Sequence, residues 1–113
     1  MVYRVMVYGE LQWRWDLAIQ GFGDKMTELF FRCGQIPKKA GWKEVASAAA
    51  RKLDMLEYAA ELGDLKAPPG NRLESLKGNF KGHHSIRVNA RWRVVFRWTP
   101  KGPDEVRIID YHV

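Results

Sequence analysis

The chain has 113 residues, a net charge of +6 and a hydrophobic fraction of 46%. That composition describes one domain with a single modest core; it is too apolar for a disordered tail and has no apolar run long enough to span a bilayer. Cys33 is the only cysteine, which excludes an internal disulfide and a cysteine zinc cluster and points to a reducing, cytoplasmic setting.

Residues 1–17 alternate weakly in polarity. They read either as a hairpin around Gly9-Glu10 or as a loose extension, with 18–113 forming one domain. Arg4 and Glu10 bracket an apolar stretch too short for a signal peptide. A short helix is expected over Asp24–Cys33, capped by Asp24 and burying Met26, Leu29, Phe30 and Cys33. The main helix is expected over 41–61, where Val45, Ala49, Leu53, Leu56 and Ala60 recur at helical spacing. Gly63 is the expected stop, and Pro68-Pro69-Gly70 bars continuation.

After Gly70 the period changes to two. His84–Val88 sets Ile86 and Val88 against Ser85 and Arg87. The next run sets Trp92, Val94, Phe96 and Trp98 against Arg91, Arg93, Val95 and Arg97. Both read as half-buried antiparallel strands with one core face and one cationic face. A two-residue loop at 89–90 would put Val88 opposite Arg91 and mix the faces. An odd-length connection or a bulge is therefore expected, with Arg87 opposite Arg91 and Asn89 left-handed. Thr99–Pro103 reads as a turn and Glu105–Tyr111 as the last strand.

Charge follows the same division. Residues 1–65 balance, whereas 66–113 hold ten basic residues against Glu74, Asp104, Glu105 and Asp110. A one-sided cationic field attracts phosphate polymers, and arginine forks match phosphate bidentately. Three constellations stand in this region. Lys77-Gly78 can present an ammonium group to a phosphate. The arginines on one sheet face repel one another unless an anion sits there. Asp110-Tyr111-His112 combines proton exchange, stacking and an orienting carboxylate. His83 and His84 point to opposite faces and lack partners at ligand spacing, so no metal site is expected.

Several stretches carry a family resemblance. They are Pro68-Pro69-Gly70-Asn71-Arg72-Leu73-Glu74, Leu76-Lys77-Gly78, His84-Ser85-Ile86-Arg87-Val88-Asn89, Trp92-Arg93 and Asp110-Tyr111-His112. Upstream, Arg51-Lys52-Leu53 with Leu56 and Ala59-Ala60 also fits. Over about residues 18–113 the chain resembles the HigB toxins of the RelE superfamily, especially the GraT-like branch. The resemblance implies an α+β, RelE-like fold, with an N-terminal strand and two helices packed on a small, mostly antiparallel sheet. It implies the toxin of a type II toxin–antitoxin system, a ribosome-dependent mRNA endoribonuclease that cleaves in the A site and inhibits translation without a cofactor. The implied partners are the ribosome, mRNA and a HigA-type helix-turn-helix antitoxin, through which alone operator DNA would be bound.

By position, the family's catalytic residues fall on Lys77, Arg93, Asp110, Tyr111 and His112. Arg72, Lys81, His84, Arg87, Arg91 and Arg97 form the expected RNA-binding set. Glu74 stands where some HigB members carry histidine, and Asn89-Ala90-Arg91-Trp92-Arg93 departs from the branch's usual Asn-Asp-Gln-Trp-Arg. Two other readings use the same residues: a non-catalytic RNA- or DNA-binding module, and a degenerate toxin retained for antitoxin binding.

Overall fold

A computed structural model describes residues 18–111. The expectations for 1–17 and for His112 fall outside the described residues. Two helices, α1 (Lys25–Cys33) and α2 (Ala46–Tyr58), precede four strands: β1 (Glu74–Ser75), β2 (His84–Arg87), β3 (Trp92–Thr99) and β4 (Gly102–Asp110). The strands form an antiparallel sheet in the order β1-β2-β3-β4. This is the expected α+β architecture.

The outer edge of β4 is closed by the segment before α1. Phe22 bridges Val106 in parallel, Gly23 N–H donates to the Val106 carbonyl and Val106 N–H to that of Gly21. The Ile108 N–H is satisfied by the Thr27 hydroxyl at 3.1 Å. Such cover removes an edge that would otherwise pair with another chain.

It also sets the rotation of α1. Asp24 caps the helix as expected, accepting from Thr27 N at 2.7 Å, and Gly34 closes it at φ 70. Because Thr27 must reach β4, the buried positions are Thr27 and Phe30. Met26 and Cys33, expected on the buried stripe, are exposed.

α2 starts after a 3-10 turn at Lys43–Val45 and ends at Tyr58, short of the expected 61. The Asp64 carboxylate accepts from Ala60 N and Glu61 N and opens a separate turn over Leu62–Lys66. The chain therefore leaves the helix before Gly63. Ala59 is buried where Ala60 was expected, and Ala60 is exposed. Ala49, Leu53 and Leu56 pack with Trp42 and Leu65 against Ile86, Val94, Phe96, Val106 and Ile108.

Arg87 pairs with Arg93, so residues 88–92, an odd number, lie between the paired positions, as parity requires. Val88 N and Asn89 N both donate to the Trp92 carbonyl. Arg87 stands opposite Arg93 rather than Arg91, which leaves the faces consistent. Asn89 is not left-handed; its side chain accepts from Arg91 N and Trp92 N instead. β4 begins at Gly102, earlier than expected, because the Thr99 hydroxyl donates to the Gly102 carbonyl at 2.7 Å and tightens the turn.

One expectation needs a larger correction. The cationic face of β3 is not open. Residues 69–83 fold back across it, burying Leu76, Ser85 and Val95 and leaving Arg93 only 8% exposed.

Candidate active site

The segment that covers the sheet is built by hydrogen bonds rather than by periodic packing. Asn71 is fully buried. Its amide donates to the carbonyls of Leu65 and Ala67, while its oxygen accepts from Lys52 on α2. Arg72 follows at φ 46, a left-handed geometry unusual for a residue other than glycine. Then β1 pairs with β2, and Leu76 N donates to the His83 carbonyl at 2.9 Å. Leu76 points into the sheet, so its extended neighbour Lys77 points out, and Gly78 turns the chain at φ 63.

Lys77 and Tyr111 meet in one cleft of about 350 Å³, lined also by Glu74, Ser75 and Leu76. Arg93 is not among the lining residues; it reaches the cleft through Glu74. Its Nε donates to Ser85 Oγ and its Nη2 to the Arg72 carbonyl, both at 2.6 Å, and Nη2 sits 3.7 Å from Glu74 Oε1. Burial lowers the Arg93 pKa; Glu74 opposes that shift, while Arg87 and Arg72 add to it. The guanidinium remains charged. It is a desolvated cation beside two others, with one carboxylate at the edge of ion-pair range, and an incoming anion would complete its surroundings.

The remaining candidates divide by face. Alternation along β4 puts Tyr111 with Ile109 and Arg107 on the cleft side, and Asp110 with Ile108 on the helix side. Asp110 therefore does not enter the cleft; its Oδ2 accepts from Arg91 Nε at 2.7 Å. Arg91, exposed and 5.2 Å from the Trp92 ring, is held there too. Arg97 is engaged by Glu105 at 2.9 Å and Asp104 at 3.9 Å. His84 also faces the helices, stacked on Phe96 at 6.2 Å rather than presented to a ligand on the cleft side. Its pKa is lowered by burial and by His83. Among the described residues, Arg72, Lys77, Lys81 and Arg87 have no carboxylate at ion-pair distance.

Residues that the sequence reading did not assign complete the surface. Phe80 lies edge-on to His83 at 5.6 Å and to Tyr111 at 6.0 Å, with the Arg107 guanidinium 5.9 Å from its ring. Arg107 packs over Gly23, where an added Cβ would come within 2.3 Å of Nε. Its register opposite Val95 puts it on this face. Among the described residues no group of three histidine, cysteine or carboxylate side chains is arranged to hold a metal ion, and no helix is long and apolar enough to cross a membrane.

Residues 20–112 match the family model of the RelE-like toxin of the type II toxin–antitoxin system HigB. The chain belongs to the HigB family. Toxin HigB-1 of Vibrio cholerae serotype O1 is 43% identical over 81 residues, covering 68% of this chain and 80% of that protein. An uncharacterised protein of Haemophilus influenzae is 31% identical over 83 residues, covering 74% and 81% respectively. Among solved structures, a YoeB/ParE toxin from Agrobacterium tumefaciens aligns with a TM-score of 0.46 at 20% identity, over 86% of this chain and all of that one. As a HigB toxin the chain is the toxic component of a type II system with an antitoxin partner, and an mRNA endoribonuclease that inhibits translation.

Proposed function

We propose that this HigB chain cleaves mRNA in the ribosomal A site by metal-independent transesterification in the cleft between Lys77 and Tyr111. The observation that carries the reading is the meeting there of Lys77, Tyr111 and Glu74, with Glu74 in turn reaching the buried Arg93. Lys77 and Arg93 hold the scissile phosphate and offset the charge that builds on it. The ribose 2′-hydroxyl gives its proton to Glu74, and its oxygen attacks phosphorus. The 5′-oxygen departs and receives a proton from Tyr111 or His112. The products are a 2′,3′-cyclic phosphate and a 5′-hydroxyl. Asp110 contributes from the far face, where its bond to Arg91 fixes the strand end that carries Tyr111. Arg72, Lys81 and Arg87 guide the RNA backbone, and Arg91 and Arg97 add to the field despite their carboxylates. A HigA-type helix-turn-helix antitoxin neutralises the toxin in the cytoplasm and alone contacts operator DNA.

The test uses ribosomes programmed with a defined mRNA and toxin stripped of metal with a chelator before addition. The expected products are A-site cuts ending in cyclic phosphate. Lys77→Ala should lower the cleavage rate by about 10²–10³ and abolish growth arrest. Since Lys77 is exposed, its thermal midpoint should stay unchanged. Undiminished cleavage by Lys77→Ala would remove the cleft from the reaction.

A further inference from the structure

We infer that Ser85 is a positioning residue for Arg93, acting with the Arg72 backbone carbonyl to aim the guanidinium at the cleft; this rests on the reading of that cleft as the cleavage site. Ser85 is fully buried in the middle of β2, opposite Val95. A hydroxyl there has no access to water, so its place requires a partner. That partner is Arg93 Nε at 2.6 Å, a short, charge-assisted bond.

The brace has a second side. Arg93 Nη2 donates to the Arg72 carbonyl at 2.6 Å and lies 3.5 Å from the Ser85 carbonyl. The Arg72 carbonyl is presented by the left-handed turn that the buried Asn71 pins to Lys52 and to the carbonyls of Leu65 and Ala67. One support thus comes from the sheet and the other from the covering segment, side by side along the Nε–Nη2 edge of the same planar group. Among the described residues Nη1 has no hydrogen-bond partner, which leaves that end of the fork for a phosphate oxygen. A guanidinium fixed at two nitrogens is oriented before substrate arrives. Released, it would rotate, and a misplacement on the order of 1 Å can cost about 100-fold in rate.

Single-turnover cleavage of ribosome-bound mRNA by Ser85→Ala tests this, with Lys77→Ala run in parallel and thermal melts on both. The expected result for Ser85→Ala is a rate lower by about 10- to 100-fold, with the half-saturating ribosome concentration close to that of the parent and a melting temperature lowered by the orphaned Arg93 Nε–H. Nitrogen-15 spectra supply a readout that packing alone would not move. The Arg93 Nε–H should exchange slowly in the parent and rapidly in Ser85→Ala. Parental cleavage by Ser85→Ala alongside an inactive Lys77→Ala overturns the positioning role and leaves the cleft reading intact. Parental cleavage by both overturns the cleft reading itself. Should Ser85→Ala fail to fold, the parent alone decides, since rapid exchange of its Arg93 Nε–H would refute the brace.

Discussion

Arg93 is costly to the fold and, in the proposed mechanism, central to the chemistry. Its guanidinium lies among protein groups with Glu74 as its one carboxylate neighbour among the described residues, so removing it does more than delete a charge. Arg93→Ala leaves the buried Ser85 hydroxyl and the Arg72 carbonyl without their donor. Each such orphan costs about 1–3 kcal/mol. The expected outcome is loss of cleavage together with a lower denaturant midpoint, in contrast to Lys77→Ala, whose midpoint should not move. His84 gives a second test at this scale. Burial and the neighbouring His83 hold its pKa below the ordinary value, so the native state favours neutral imidazole. Stability from this group is complete above the unfolded value of about 6.5 and is lost as pH falls through it toward the folded value. His84→Phe removes that proton uptake while keeping a ring against Phe96. Urea midpoints measured at about pH 7.5 and about pH 5.5 should differ less in the variant than in the parent. Alternation puts His84 on the helix face with Ile86 and Arg93 on the other face, yet the sequence reading grouped His84 with the RNA-binding arginines. The burial of Arg93 was not legible, since nothing local to a strand tells what will cross over it.

At the scale of elements, the segment 69–83 decides the site. It has no helical or strand period, because its order comes from hydrogen bonds to carbonyls that only the folded chain brings together. Asn71 is the centre of these, and a buried asparagine in a Pro-Gly-rich stretch looks like an ordinary turn residue until its four side-chain partners, Lys52, Met55, Leu65 and Ala67, are seen. Asn71→Ala should cost about 1–3 kcal/mol by urea unfolding. It should also lower cleavage, because the Arg72 carbonyl loses its support; a variant that unfolds like the parent would show the clamp to be idle. The helices were located in sequence to within a few residues by their apolar spacing. Their ends moved for reasons outside that spacing: Thr27 turned α1 to serve the β4 edge, and Asp64 drew the chain out of α2 early. Arg107 was passed over for a related reason. Its place on the cleft side depends on register with Val95, which the folded sheet supplies.

For the whole molecule, the excess of positive charge in 66–113 was plain from composition, and the fold concentrates part of it around one cleft. Arg91 and Arg97 are partly answered by Asp110, Asp104 and Glu105, so the effective field is smaller than the residue count suggests. Binding to single-stranded RNA should weaken with salt by about 0.7 in log K per log unit for each phosphate contact. Arg87→Ala should reduce that slope by about one contact, measured by anisotropy titration, whereas Arg91→Ala should reduce it by less. The parallel segment beside β4 has a practical result at this scale. Gln20 is exposed and its N–H donates to the Pro103 carbonyl, at the start of a strand whose far end leads to Tyr111. Eight strand residues span roughly 26 Å. A fluorophore or surface tether placed at Gln20 would therefore sit well away from the RNA, giving a handle for watching single toxin molecules dock and leave without crowding the chemistry.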